Sequence, residues 1–204
     1  MSNPGAAMVD VAFPVAGDAL PREHRRLLAD ALDERLPWLA ALPGAGAHRL
    51  NVSAGGGAQA LLSQRTRLTL RVPRERAADA ATLAGSPLLL GATRLRLGEP
   101  RQRELLPWGT LYAHVVAADD GGDELAFLQA MESELAALGV DCRPICGRLQ
   151  LLEAGALRGY SLMLDRLDPA DSLRVLEAGL VAHRRLGCGL FVPHKSAAAV
   201  GAPH

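Results

Sequence analysis

The stretch Arg65-Thr-Arg-Leu-Thr-Leu-Arg-Val72 alternates without a break. Arg65, Arg67, Thr69 and Arg71 fall on one face; Thr66, Leu68, Leu70 and Val72 fall on the other. Successive side chains of a strand point to opposite faces of its sheet, so this strand has one apolar and one arginine face. Such a strand is half buried in an antiparallel sheet, and its open side can meet phosphates.

Working backward, Val9 to Val15 reads as a strand, with Val9, Val11 and Phe13 alternating against Asp10 and Ala12, and Gly17-Asp18 breaks it. A helix is predicted from about Pro21 to about Leu39. Its apolar stripe is Leu20, Leu27, Leu28, Ala31, Leu32, Leu36 and Leu39, with His24 inside it. A loop from Pro43 to His48 leads to a short strand around Arg49 to Val52, then a turn at Gly55-Gly-Gly57. Working forward, a second helix runs from about Pro73 to Leu83, and Pro87 to Leu97 forms a hairpin turning at Gly91. The order is βαββαβ.

The second half repeats that order. Thr110 to Ala117 is a strand and Asp123 to Leu138 an acidic helix. Gly147 to Glu153 pairs with Leu157 to Leu167 around Gly155. Asp168-Pro-Ala-Asp-Ser172 opens a helix to about Ala178, and Leu190 to Val192 closes the sheet. The expected class is α+β, with tandem ferredoxin-like (RRM-like) βαββαβ domains over residues 1–106 and 107–204, split near Pro107. The repeat is one of topology, with no residue-level similarity between the halves.

The chain has 204 residues, 49% apolar, with acids balancing bases, an ordinary globular composition. Aromatics are only 3%, which argues against binding bases mainly by stacking. With zero net charge, a nucleic-acid site has to come from uneven distribution. Arg49 to Arg76 holds six arginines and one acid, and Arg94 to Arg103 holds four arginines and Glu99. Asp119 to Glu134 holds six acids and no base, so that helix is expected to face solvent or a protein neighbour. No segment resembles a signal peptide or a membrane span, and the three cysteines suit a reducing cytoplasm. Zinc on Cys142, Cys146, His183 and Cys188 is weighed against inert thiols, which fit better.

The remaining signal is Gly179-Leu-Val-Ala-His-Arg-Arg-Leu-Gly-Cys-Gly-Leu-Phe-Val-Pro-His-Lys195. No acid follows Glu177, so about three positive charges have no local partner. Glycines let backbone approach an anion, and paired arginines offer planar donor forks. The same residues also read as a helix end capped by Gly187 and a short core strand.

This ending, together with Leu162-Met-Leu164, the Asp168–Ser172 helix start, Val11-Ala-Phe-Pro-Val15 and Leu36-Pro-Trp38, resembles the RAMP superfamily of CRISPR-associated proteins. Within it the chain looks like the CRISPR repeat endoribonucleases, in the short subtype first associated with myxobacterial loci. A Gly-x-Gly pair at the start of the loop is missing, and only Gly179 stands there.

The resemblance implies cleavage of precursor CRISPR RNA at a repeat hairpin without metal or other cofactor, by attack of a ribose 2′-OH. The product ends are a 2′,3′-cyclic phosphate and a 5′-OH. It also implies retention of the hairpin and assembly with other Cas subunits. Histidines on or just after the first helix usually serve as acid or base in such enzymes. His48, in a loop where an imidazole stays solvated, and His24, on the apolar stripe, are the candidates. Ser53 and Ser63 are weaker proton partners, and Tyr112 and His114 read as structural. Arg65, Arg67, Arg71, His183, Arg184, Arg185, Gly187, Gly189 and Lys195 are expected to bind RNA. The alternatives are a non-catalytic RAMP subunit and an unrelated ferredoxin-like metabolic protein.

Overall fold

The computed structural model describes residues 6–17, 19–55, 58–118 and 123–195. Asp18, Gly56, Gly57, Asp119 and Asp120, each part of a turn or acidic run read above, lie outside them. The chain divides into two compact units: residues up to Glu104 together with Arg184–Gly187, and Leu105–His183 together with residues from Cys188 on.

In the first unit, β1 (Met8–Ala16) and β2 (Ala19–Pro21) precede α1 (Arg25–Arg35). Then come β3 (Gly46–Ala47), β4 (Ser53–Ala54), β5 (Gln59–Leu61) and β6 (Arg67–Pro73). The unit closes with α2 (Ala77–Ala81), β7 (Pro87–Leu90), β8 (Thr93–Leu97) and β9 (Arg101–Glu104). The main sheet runs β3-β6-β1-β8-β7, with β9 also on β1, and its pairings are antiparallel. Val9, Val11, Phe13, Leu68, Leu70 and Val72 are all essentially buried, so the alternation of β1 and β6 does set one apolar core face. Leu28 and Leu32 of α1 and Ala80 of α2 are buried as well.

The helix predicted from Pro21 starts instead at Arg25. Leu20 is drawn into β2, opposite Ala60 of β5, and the backbone pairing outweighs the helical pattern. It stops at Arg35, because Leu36 precedes Pro37, a setting that disfavours helix. The strand expected at Arg49–Val52 is replaced by β3 and β4 on either side. The helix expected over Pro73–Leu83 shrinks to a single turn, Arg74–Arg76, plus α2.

In the second unit, β10 (Thr110–Ala117), α3 (Glu124–Ala137), β11 (Arg143–Leu152), β12 (Leu157–Asp165), α4 (Pro169–Ala178) and β13 (Val192–Pro193) follow one another. The sheet order is β11-β12-β10-β13. Counting only the elements of the repeat, both units run second-third-first-fourth strand, the ferredoxin-like order, so the fold is a tandem pair. Asp123 caps α3 through the Ala126 amide at 2.9 Å, and Asp168 caps α4 through Asp171 N at 2.7 Å. Phe127 and Tyr160 stack at 4.8 Å across the helix–sheet core. The closing strand is shorter than expected because Leu190 and Phe191 bury as core residues ahead of it. Among the described residues no helix is long and apolar enough to cross a membrane.

Candidate active site

Within the first unit, three segments converge: the start of α1, the strand β3 with its continuation to Arg49, and the turn Arg184–Leu186 with Gly187. Arg25 Nη1 donates to the Leu186 carbonyl at 2.7 Å. A Cβ on Gly46 would stand 2.7 Å from the Arg184 carbonyl oxygen, so only glycine lets the turn lie on β3. Gly187 has φ +77, and a Cβ there would meet Arg49 N at 3.1 Å and Ala47 O at 3.2 Å. Arg185 donates to Asp30, at 3.2 Å, and to Asp33, both on α1. The positive charge of the glycine-rich segment is therefore partly compensated by carboxylates distant in sequence. These pairs are partly exposed and individually weak, yet they tie the turn to the helix.

His24 stands at the N-cap of α1 and is 6% exposed. Its Nδ1 lies 2.9 Å from the Pro21 carbonyl oxygen. A carbonyl only accepts, so Nδ1 carries the proton, and in the neutral ring Nε2 holds the lone pair. The burial follows from its place on the apolar stripe and gives it the surroundings of a core histidine.

His48 differs from its expectation as a solvated loop residue. Its amide donates to Thr69 O at 2.9 Å, prolonging the β3–β6 pairing and turning the side chain inward. The side chain is 14% exposed, with Nε2 3.6 Å from Asp10 Oδ1 and itself buried without a hydrogen-bond partner. Asp10 in turn grips Arg71 with two bonds, Nε–Oδ1 at 2.9 Å and Nη2–Oδ2 at 3.0 Å. Burial pushes the imidazole below its ordinary value and Arg71 pushes it further, outweighing Asp10. Burial opposes the charge on Asp10, but the His48 ring and the Arg71 guanidinium overcome it and hold the carboxyl well below the usual range. The outcome is a neutral imidazole beside an ionised, arginine-bound carboxylate.

Arg71, expected on an open arginine face, is 1% exposed and belongs to this buried pair rather than to a solvent-facing ladder. Arg65 and Arg67 of the same stretch are exposed, and Arg67 Nη1 donates to Gln64 O and Thr66 O at 2.7 and 2.8 Å. Ser63 is engaged locally, its Oγ accepting from Arg65 N at 3.2 Å. Ser53 lies in β4.

The other expected RNA-binding residues fall in the second unit. His183 is exposed at φ +67, and Lys195 is exposed. Gly189 is buried, its amide donating to Val115 O at 2.8 Å, so it seats backbone rather than a ligand. Tyr112 packs its ring 6.5 Å from His114 and 5.4 Å from His194. The acids Glu124, Glu132 and Glu134 of α3 are exposed. Among the described residues no group of three or more His, Cys, Asp or Glu side chains is placed to hold a metal. Cys142 and Cys146 are pushed up to about 11, each chiefly by burial, leaving both as neutral thiols.

Asp10, Arg25, Asp30 and Asp33 are not singled out by the sequence. Asp10 alone carries a hint, as a carboxylate within an otherwise apolar strand.

The model of the family described as "Cas6 Crispr" matches residues 9–196. The CRISPR-associated endonuclease Cas6 of Myxococcus xanthus (strain DK1622) is 36% identical over 194 residues, covering 94% of this chain and 84% of that protein. A solved CRISPR-associated protein Cas6 superposes with TM-score 0.65 at 9% identity, covering 92% of this chain and all (100%) of the other. A Cas6-related protein from Pyrococcus furiosus gives 0.58 at 11% identity over 92% and 98% of the two chains. These neighbours share the fold, while the family match and the myxobacterial relative carry the assignment: this chain belongs to the Cas6 family of CRISPR proteins.

Proposed function

We propose that this protein is an endoribonuclease that cuts precursor CRISPR RNA at the repeat hairpin and remains bound to its product. The observation that carries the site is the Asp10–His48 pair beside the seated Arg184–Gly187 turn. The Asp10 carboxylate faces Nε2, so that ring position takes the proton and Nδ1 is left as the base. In the proposed reaction Nδ1 takes the proton of the ribose 2′-OH, and the 2′-oxygen bonds to phosphorus as the P–O5′ bond breaks. The leaving 5′-oxygen takes a proton from the imidazolium or from solvent. Cations beside the equatorial phosphate oxygens stabilise the added charge; Arg184, Arg65 and Arg67 are the candidates proposed for that role. No step requires a metal. The exposed acids of α3 repel RNA and suit a protein neighbour in a larger Cas assembly.

His24 is the second reading, favoured by its fixed Nδ1–H tautomer and by its place next to Arg25, which holds the turn.

The test incubates the purified chain with its repeat RNA in EDTA, alongside His48→Ala and His24→Ala, with folding checked by circular dichroism. Expected is cleavage to a cyclic-phosphate end, reduced by about 10²–10⁴-fold in His48→Ala. Since burial and Arg71 keep the imidazole neutral, the acid limb of the rate should lie below 6.5, the ordinary histidine value. Loss only in folded His24→Ala transfers the role to that ring. Tight binding with no cut makes the chain a non-catalytic RNA-holding subunit.

A further inference from the structure

The chain carries a further cationic surface that starts beside this site, at Arg103 opposite Asp10, and runs away from it along β9 and β8. Arg94 and Arg96 lie on β8, and Arg101 and Arg103 on β9. In an unbroken strand, even- and odd-numbered residues would point to opposite faces, dividing these four into two pairs. They do not divide. Arg96 sits opposite Ala16 of β1 and Arg101 opposite Ala12, five residues on one side against four on the other. The extra residue is absorbed in the bend at Gly98, Glu99 and Pro100, as a bulge absorbs it, and the alternation resets. Arg101 and Arg103 therefore join Arg94 and Arg96 on the face opposite the buried Leu95 and Leu97.

Arg67, opposite Pro14 on the far side of β1, shares this face. All five arginines are exposed. Among the described residues, Arg94, Arg96, Arg101 and Arg103 make no ion pair. Asp10, the acid of β1 on this face, is occupied by Arg71. Glu104, opposite Val9, points to the other face and pairs with Arg74 at 2.5 Å. Pro14 and Ala16, both exposed, separate Arg67 from Arg96 without offering a polar group.

We infer that this arginine stripe on β8 and β9 binds the sugar–phosphate backbone of single-stranded RNA flanking the repeat hairpin, an inference that rests on the reading of the protein as a CRISPR RNA endonuclease. Residues two apart on a strand are about 6.7 Å apart, close to the spacing of successive phosphates along one strand. Arg67 on β6 and the arginines of β8 and β9 flank a single strand, so they are about 9.6 Å apart across it. That seats one RNA strand and is too narrow for an A-form duplex. With no aromatic side chain among these stripe residues, the stripe meets phosphate, not base.

The test compares wild type with Arg96→Ala/Arg101→Ala/Arg103→Ala on two probes, the repeat hairpin alone and the same hairpin with an oligouridine tail. Fluorescence anisotropy is measured over a salt series. Expected is unchanged affinity for the bare hairpin and loss of the added affinity given by the tail. The salt slope for the tailed probe should fall by about 0.7 for each phosphate no longer neutralised. Equal loss on both probes would show that the stripe holds the duplex and overturn the single-strand assignment. No loss on either would overturn the inference altogether. Wild-type cleavage of the bare hairpin, measured in the same samples, reports on the proposed activity separately.

Discussion

Arg71→Ala is expected to cost about 3–5 kcal/mol of stability, because it strands a carboxylate that the fold has taken out of water. Asp10 is 17% exposed and Arg71 is 1% exposed, so solvent cannot replace the guanidinium. The two parallel hydrogen bonds between them are of the fork-to-carboxylate kind that gains most from a fixed geometry. The measurement is the urea midpoint and slope of the variant against wild type. The double variant Asp10→Leu/Arg71→Met should recover much of the loss, since removing both charges leaves no buried ion to solvate. A phosphate-binding arginine would behave otherwise: its alanine variant would keep its midpoint and lose RNA affinity with a shallower salt slope. That second pattern would return Arg71 to the set of RNA ligands.

Gly189→Ala should be nearly as damaging, at roughly 3 kcal/mol or more, since it combines backbone strain with overlap in the core. Gly189 sits at φ +66, and a Cβ there would lie 1.9 Å from the Leu180 carbonyl oxygen. Its amide donates to Val115 O, and its own carbonyl accepts from Leu180 N at 3.0 Å. The methyl therefore cannot be accommodated by rotating a side chain; it has to push the last segment off β10. Cys188 and Phe191, both fully buried beside it, would lose their packing together. Gly85→Ala is the control, with φ +77 and nothing within 4 Å of its Cβ position. It should show only the conformational cost of a left-handed alanine, about 1–2 kcal/mol. Thermal midpoints of the two variants separate strain from overlap, and equal shifts would refute the overlap argument.

The βαββαβ order is legible residue by residue. Val9, Val11 and Phe13 against Asp10, and Leu68, Leu70 and Val72 against Arg67 and Arg71, carry the period of a half-buried strand in the chain itself. Asp123 and Asp168 announce their helices because capping acts within one turn. Gly91, at φ +60, marks its hairpin for an equally local reason. The family resemblance is likewise carried by a contiguous run, His183 to Lys195.

What depends on pairing is not legible. The charge around Arg184 and Arg185 looks uncompensated in sequence because Asp30 and Asp33 lie about 150 positions away. His48 looks solvated because nothing local reveals that its amide joins Thr69 and its ring turns toward Asp10. The arginines of β8 and β9 have opposite parity along the chain, and only the register against β1 brings them to one face. Local periodicity and capping thus determined most elements of the repeat and their order, while the short strands β2 to β5 and β9 depend on pairing. Partners, burial and the protonation of His48 were decided by strand register and long-range packing, because a charge or ring nitrogen takes its character from what stands within a few ångströms in space, and the chain order does not encode that distance.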